Sequence, residues 1–366
     1  MHDVSEKDVD VHTHNSGISG ESGLTYSKAG VDIAHSDSLK QDMAAYLTPR
    51  NPRVLNGLGP FASLYDFRFE DITSPVLVLK SEEPGSKQKL AMKYGHTESI
   101  CHDMINHLVN DIIVMGAKPL AVLDTIVCGS ADKDVVNSII KGISEACREN
   151  ECDLVGGETS IQPGVVDEGT YILTASIAGV VDKVNIIDGS KIRPGDKIIA
   201  LASNGLHTNG YTLVRLLMEA KPGIEHADVG GETFIDAIMK PHTPYYCAVK
   251  RLLSNHNHAV HGLAHITGGG IEGNLSRIIP GGLSARIDLG KLEVPQVFKF
   301  IKTNGNIADD EMLRTFNCGV GLIAVVDREA ETGVVRAVSE HCRCYTIGEI
   351  AESSAAVVLY NKLNWE

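Results

Sequence analysis

The sequence has no surplus of positive charge: 33 Lys+Arg stand against 47 Asp+Glu, for a formal charge of −14. That shortage argues against a nucleic-acid or anionic-membrane surface, either of which needs a basic patch. It leaves room for a phosphorylated small molecule, which a few lysines, a bound metal and backbone N–H groups serve locally. Long apolar runs are missing too. A membrane-spanning helix needs roughly 18 uninterrupted apolar residues, and the best stretch, Ile112 to Cys128, is broken by Lys118, Pro119 and Asp124. Residues 1–23 are polar and acidic, dotted with His2, His12 and His14, and carry no apolar core of a secretion signal. They read as a mobile arm, in which His12-x-His14 is either a metal-binding pair or part of a solvated tail. The eight cysteines, at 101, 128, 147, 152, 247, 318, 342 and 344, form no C-x-x-C pair. Buried free thiols in a reducing cytoplasm are the expectation, and Cys342-x-Cys344, too close for an ordinary disulfide, suits alternation on a strand. Neither G-x-G-x-x-G after a strand nor G-x-x-x-x-G-K-[ST] occurs, so two common nucleotide-binding signatures are absent.

What is present is the composition of an ordinary globular protein. At roughly 150 residues per domain, 366 residues with 43% hydrophobic content suggest two domains. Periodicity predicts strands over 75–80, 122–127, 171–183, 197–202, 259–264, 319–326 and 344–350. Helices are predicted over 98–115, 133–149, 209–220, 242–254, 270–279, 294–304 and 329–340. The turn-rich run from Asp188 to Asp196 marks a boundary. We therefore expect an α/β (mixed α+β) protein with an arm over 1–23, a first domain over 24–187 and a second over 188–366.

Several segments look chemical. On the helix over 98–115, Asp103, Asn106, His107, Asn110 and Asp111 gather on one side of an apolar cylinder. They form either a solvent-facing stripe or a Mg²⁺–phosphate site built from oxygen ligands. The run Leu154-Val155-Gly156-Gly157-Glu158 either ends in a tight turn or sets a carboxylate where backbone approaches a ligand. The loop Glu82-Glu83-Pro84-Gly85-Ser86-Lys87 combines acid, glycine, hydroxyl and ammonium. Ser203 to Gly210, including His207 and Asn209, joins a strand to a helix and is dense in small polar groups suited to anions. Thr267-Gly268-Gly269-Gly270 repeats that logic, as a phosphate cradle or a flexible turn.

Taken together these segments resemble the aminoimidazole ribonucleotide synthetase (phosphoribosylformylglycinamidine cyclo-ligase) family. The resemblance runs from Tyr26 to about Ile350. It rests on Tyr26-Ser27-Lys28-Ala29-Gly30-Val31-Asp32-Ile33, Val109-Asn110-Asp111, Leu154-Val155-Gly156-Gly157-Glu158-Thr159, His207-Thr208-Asn209-Gly210-Tyr211-Thr212-Leu213-Val214-Arg215, His265-Ile266-Thr267-Gly268-Gly269-Gly270 and Arg314-Thr315-Phe316-Asn317-Cys318-Gly319-Val320-Gly321. The superfamily also holds formylglycinamidine ribonucleotide synthetase, selenophosphate synthetase, thiamine-phosphate kinase and a hydrogenase-maturation protein. The first and last of the six segments look like the cyclo-ligase branch.

The resemblance implies a two-domain subunit whose N-terminal sheets pair into a barrel-like dimer core, in a cytoplasmic homodimer. ATP and Mg²⁺ would lie along the N-terminal domain, and formylglycinamidine ribonucleotide between the domains. Phosphorylation of the formamide oxygen would make it a leaving group for attack by the amidine nitrogen. The resemblance places Lys28, Glu82, Ser86, Lys87, Asp111 and Glu158 at ATP, with Asp103, Asn110, Asp111 and Glu158 as the metal set. Lys28, His207 and Asp111 would be catalytic. Ser203, His207, Asn209, Thr267, Gly268, Gly269, Gly270 and Arg314 would bind substrate. Two departures stand out. The family's Asp-Gly-Val-Gly-Thr-Lys is here Glu82-Glu83-Pro84-Gly85-Ser86-Lys87, and its Ala-Glu-Met-Pro is Ser160-Ile161-Gln162-Pro163, losing a carboxylate at Ile161. These keep two other readings open: a paralogue that phosphorylates another amide or an alcohol, and a non-catalytic nucleotide-binding regulator.

Overall fold

A computed structural model describes residues 51–57 and 59–366, with Ser38, Tyr46 and Leu47. Lys28 and the N-terminal arm lie outside the described residues. The first domain is built from β1 (Pro75–Glu82), α1 (Lys87–Tyr94), α2 (Thr97–Ile113), β2 (Lys118–Cys128), α3 (Lys133–Glu149), β3 (Asp153–Ile161) and β4 (Tyr171–Asp182). Its four strands run in the order β1-β4-β2-β3. Only β2 and β3 are parallel, and α3 supplies the long crossover that a parallel pair requires. Asp132 starts that helix by accepting from the N–H groups of Asp134 and Val135, the ordinary service of an N-cap carboxylate.

The second domain follows with β5 (Lys197–Ala202), α4 (Tyr211–Ala220), α5 (Phe234–Met239), α6 (Tyr246–His256), β6 (Val260–His265), α7 (Gly270–Leu275) and β7 (Leu283–Asp288). It continues with α8 (Gln296–Gly305), α9 (Asp309–Thr315), β8 (Val320–Val326), α10 (Glu331–Ser339), β9 (Cys344–Glu352) and β10 (Val357–Tyr360). The six-stranded order is β10-β7-β9-β5-β8-β6. Every residue of β6 and β8 is buried, as expected of strands covered on both faces.

The two sheets differ on this point. In the first domain α2 covers one face, and the other is left bare: Leu77, Leu79, Leu123 and Ile172 are 50%, 69%, 48% and 38% exposed. The pairings Leu79↔Ala178, Leu123↔Ser176 and Val127↔Ile172 put these side chains on the same side.

The Gly-Gly of 156–157 is not a tight turn, as one of the two readings had it, but lies within β3. A register shift between Val122 and Leu123 inserts an extra residue there, so that Leu123 pairs with Gly156, Asp124 with Gly157 and Thr125 with Glu158. A bulge of this kind turns the following side chains over. A Cβ at Gly157 would lie 2.0 Å from the buried Asp124 Oδ1, so no larger residue fits beside that carboxyl. Cys344 begins β9 while Cys342 precedes it, and no disulfide occurs among the described residues. No helix among them is long and apolar enough to cross a membrane.

Candidate active site

Helix α2 is buried on almost every side. Ile100, Met104, Leu108 and Ile112 enter the core, while its polar stripe meets the second domain instead of solvent. Asn106 Nδ2 donates to His242 O (2.8 Å) and Asn110 Nδ2 to Thr243 O (3.0 Å). His242 N–H donates to Asp103 Oδ1 (2.9 Å), and Tyr245 N–H to Asn110 Oδ1 (3.2 Å). The stripe thus satisfies the backbone of the segment before α6, which has no ladder partner of its own and would otherwise leave buried peptide groups unpaired.

This corrects three assignments. Asp103 is fully buried and pairs with Lys87 Nζ at 2.6 Å, both side chains at 0% exposure. Lys87 also donates to the carbonyls of His207 (3.1 Å) and Lys240 (2.7 Å). Its ammonium is therefore committed between the domains and does not face a nucleotide. Burial pushes the Asp103 carboxyl up to about 7 and the Lys87 ammonium down, each partner opposing the shift of the other. Asn110, engaged through both amide atoms, is likewise not a spare metal ligand.

Asp111 differs. At the C-terminal end of the helix its carboxylate is 20% exposed and meets Lys80 Nζ at 2.9 Å and His265 Nδ1 at 2.8 Å. Lys80 also reaches Glu82 Oε2 at 3.1 Å. His107 Nε2 lies 3.6 Å from Asp111 Oδ2 and 3.7 Å from Glu82 Oε2. Burial works to raise the Asp111 carboxyl, but the hydrogen bond and charge of His265, with His107 and Lys80, hold it well below the usual range. Two carboxylates and one ammonium leave this corner negative. Such oxygen donors suit Mg²⁺.

Glu158 does not join them. It shares the bare face of the first sheet with Thr125, whereas Asp111 stands on the face that α2 covers. A carboxylate on each side of a sheet cannot hold one cation within one chain. Ile161 packs against the core, so the carboxylate missing at this position is not missing from the cluster. Ser86 sits at the start of α1, half-buried beside Lys87. Pro84 is buried, and Gly85 lies against Thr208, whose carbonyl is 3.9 Å from the position a Cβ would take. The altered loop therefore abuts the substrate-side loop of the second domain.

The second domain brings His207 and Asn209 to the same seam on the loop after β5, and the glycine run on the loop after β6. His207, after β5, adopts a left-handed backbone (φ 60), which costs a non-glycine residue about 1–2 kcal/mol. Lys87 and Thr243 hold it there. Burial pushes its imidazole well below the ordinary value, with the charges of His265, Lys87 and His107 adding to the effect. It is a neutral ring, able to take a proton but not to serve as a standing cation. Asn209 lies beside Gly268, its Oδ1 3.5 Å from the position of a Cβ there, and its buried Nδ2 has no protein partner among the described residues.

Ser203 is not open to a ligand, because its hydroxyl donates to Asn317 Oδ1 (2.9 Å) in the buried interior. Thr267 donates to Asn274 Oδ1 (3.2 Å), and Asn274 Nδ2 returns bonds to the carbonyls of Thr267, Gly268 and Gly270. The glycine loop is thereby shaped, not slack. At Gly270 (φ 64) a Cβ would lie 1.9 Å from Leu313 O. Gly269 and Arg314 line one cavity of about 780 Å³, with Glu272, Ser276 and Asp310.

Residues 74–181 match the family model described as AIR synthase related protein, N-terminal domain, and residues 193–361 match the corresponding C-terminal domain model. The chain is 39% identical to the phosphoribosylformylglycinamidine cyclo-ligase of Magnetococcus marinus, over 94% of this chain and 99% of that protein. It is also 39% identical to the enzyme of that name from Sorangium cellulosum, over 89% and 95%. The chain belongs to the phosphoribosylformylglycinamidine cyclo-ligase family. Among solved structures, this family member shares its fold with a hydrogenase maturation protein crystallised with ATP (TM-score 0.62, 18% identity, 90% of this chain and 92% of that). A thiamine-monophosphate kinase from Stenotrophomonas maltophilia is similar to the same degree (TM-score 0.63, 16% identity, 91% and 98%).

Four residues of this corner escape sequence reasoning: Lys80, His242, His265 and Asn274. Lys80 ends what reads as an ordinary buried strand. His242 stands in an expected helix that begins only at Tyr246. An i, i+4 relation of His107 to Asp111 was the one available signal.

Proposed function

We propose that this chain closes the imidazole ring of aminoimidazole ribonucleotide from formylglycinamidine ribonucleotide, using ATP and releasing ADP and phosphate. One observation carries the reading. The seam between the domains joins an ionised, partly exposed Asp111 to a buried histidine group and to the Asn209–Gly268 loop. An amide oxygen leaves poorly, and phosphorylation makes it leave well, so the protein needs positioning and charge control more than covalent chemistry.

Asp111 and Glu82 fit the role of holding Mg²⁺ with the nucleotide phosphates, where the metal would neutralise phosphoryl charge. Lys80 spans the same two carboxylates and fixes their spacing. Because ionised Asp111 only accepts, His265 Nδ1 carries the hydrogen; its Nε2 has no partner among the described residues. In its neutral form His265 is placed to take the proton that the amidine nitrogen loses as the C–N bond forms. His207, neutral and buried, is a second acceptor. Asn209 Nδ2 and the loop at 267–270 would bind the ribose phosphate, with Arg314 at the adjoining cavity. Glu158, on the bare face, belongs in this reading to a subunit interface: a second copy packed on Leu77, Leu79, Leu123 and Ile172 gives the homodimer and removes apolar surface of the kind that marks interaction sites.

The test is to incubate the protein with formylglycinamidine ribonucleotide, ATP and Mg²⁺ and follow aminoimidazole ribonucleotide together with ADP. Equal formation of both is expected. ADP without the aminoimidazole product points to another amide or an alcohol as acceptor. ATP binding by a folded protein with neither product favours the regulator. The interface is tested separately by sedimentation of Leu79→Glu, expected to run as a monomer beside a dimeric parent.

A further inference from the structure

Three imidazoles, those of His207, His242 and His265, converge behind Asp111. Each offers a ring nitrogen, and the three lie within 4.8 Å of one another. All three residues are buried, at 0%, 0% and 6% exposure. In each ring one nitrogen is engaged: His265 Nδ1 with Asp111 Oδ1 (2.8 Å), His242 Nε2 with Thr208 Oγ1 (2.9 Å) and His207 Nε2 with Thr243 Oγ1 (3.4 Å). The other nitrogens, His265 Nε2, His242 Nδ1 and His207 Nδ1, are buried without a partner. One such orphan in a core is unusual; three converging rings, each with a nitrogen unmet, call for a shared ligand.

We propose that this cluster is a binding site for a borderline transition-metal ion of the Zn²⁺ or Co²⁺ class, distinct from Mg²⁺. Imidazole nitrogens select such ions, while Mg²⁺ prefers oxygen. Zinc bonds of about 2.0–2.1 Å place tetrahedral nitrogens roughly 3.3 Å apart, so each ring need move inward by less than about 1 Å. The hydrogen bonds on these rings are of the kind that metal-bound histidines carry: a carboxylate on His265 and hydroxyls on His242 and His207. The three ligands come from three separate segments of the second domain: the loop after β5, the loop before α6 and the last residue of β6. A bound ion therefore ties together the segments that face α2, and it occupies the His207 and His265 nitrogens that proton transfer uses. Metal loading is accordingly expected to suppress turnover, a consequence that rests on the proposed function, whereas binding itself does not.

The experiment uses full-length protein stripped by a chelator and titrated with Co²⁺. One equivalent per chain with the visible d–d absorption of a tetrahedral nitrogen site is expected, and Zn²⁺ should displace it and raise Tm. His242→Gln, which keeps a polar side chain opposite Thr208, should weaken Co²⁺ binding by about 100-fold or more. Three results would overturn the proposal. These are a folded parent that takes up no Co²⁺, a spectrum dominated by thiolate charge transfer, and equal affinity in His242→Gln, which would move the ion to another site such as the His-dotted arm. Should the variant not fold, the Zn²⁺-dependent Tm shift and the Co²⁺ spectrum of the parent still decide.

Discussion

Two lysine–aspartate pairs sit on the same helix face region, and they do opposite things. Lys87–Asp103 is 2.6 Å long and wholly buried, whereas Lys80–Asp111 is 2.9 Å long with side chains 35% and 20% exposed. The difference lies in what surrounds each pair. Around Lys87 the remaining donors are taken by the His207 and Lys240 carbonyls, and around Asp103 by the His242 N–H, so nothing is left for a ligand. Around Asp111 stand a second carboxylate and two histidines, with solvent access. Burial and satisfaction turn the first pair into a fastener between domains. Partial exposure and surplus negative charge leave the second available for chemistry.

The largest effect should come from breaking the fastener. Lys87→Met leaves Asp103 buried without its cation and strips a donor from two carbonyls, at an expected cost of about 3–5 kcal/mol. Urea unfolding at neutral pH measures it, and a loss below about 1 kcal/mol would show that the seam does not depend on this pair. Asp111→Asn should do the reverse. Stability is expected to fall by less than in Lys87→Met while turnover falls by roughly 10²–10³. Wild-type kcat in a folded Asp111→Asn protein would remove Asp111 from the reaction.

The same comparison explains what could be read in the sequence. Most strands and helices follow from periodicity, and α3 falls over 133–149 as expected. The elements not anticipated are β3, whose bulge disguises its alternation, the strands β7 and β10, and the short helices α1, α5 and α9. The polar stripe of α2 was visible, but its partner was not. Hydrogen bonds to a backbone segment more than 130 residues away leave no local trace, so Asp103 and Asn110 look as much like ligands as Asp111 does. Glu158 lies apart from Asp111 within the chain for a different reason. One extra residue in a strand reverses which face a side chain takes, and composition carries no sign of it.

A smaller effect is expected from acid. His107 is lowered from 6.5 to about 4, by burial and by the charge of His265, and burial drives His207 and His242 well below their ordinary value. At these rings the unfolded chain binds more protons than the folded one between about pH 4 and 6.5, so their contribution to stability, present above pH 6.5, is lost as pH falls through that window, while the raised Asp103 carboxyl works the other way below about pH 7. His107 alone accounts for roughly 3 kcal/mol over it. Unfolding in chelator at pH 7.5, 6 and 5 should show the decline, with a shallower slope in His107→Gln. A slope unchanged in His107→Gln would mean that this ring takes up its proton equally in the folded and unfolded states.

The smallest change in stability, and the sharpest discrimination, is expected from Lys80→Met. Its ammonium is one-third exposed, and a pair of that kind contributes about 0–1 kcal/mol. Its removal nevertheless leaves Asp111 and Glu82 facing each other without a resident cation. Repulsion between the two carboxylates then strengthens their demand for a divalent ion, so half-maximal activity should be reached at lower Mg²⁺ than in the parent, at saturating ATP. Activity measured against Mg²⁺ concentration checks this. A raised Mg²⁺ requirement would instead assign Lys80 to the nucleotide phosphates, and the open pair would then be divided between its two ligands: Asp111 to the metal and Lys80 to the anion.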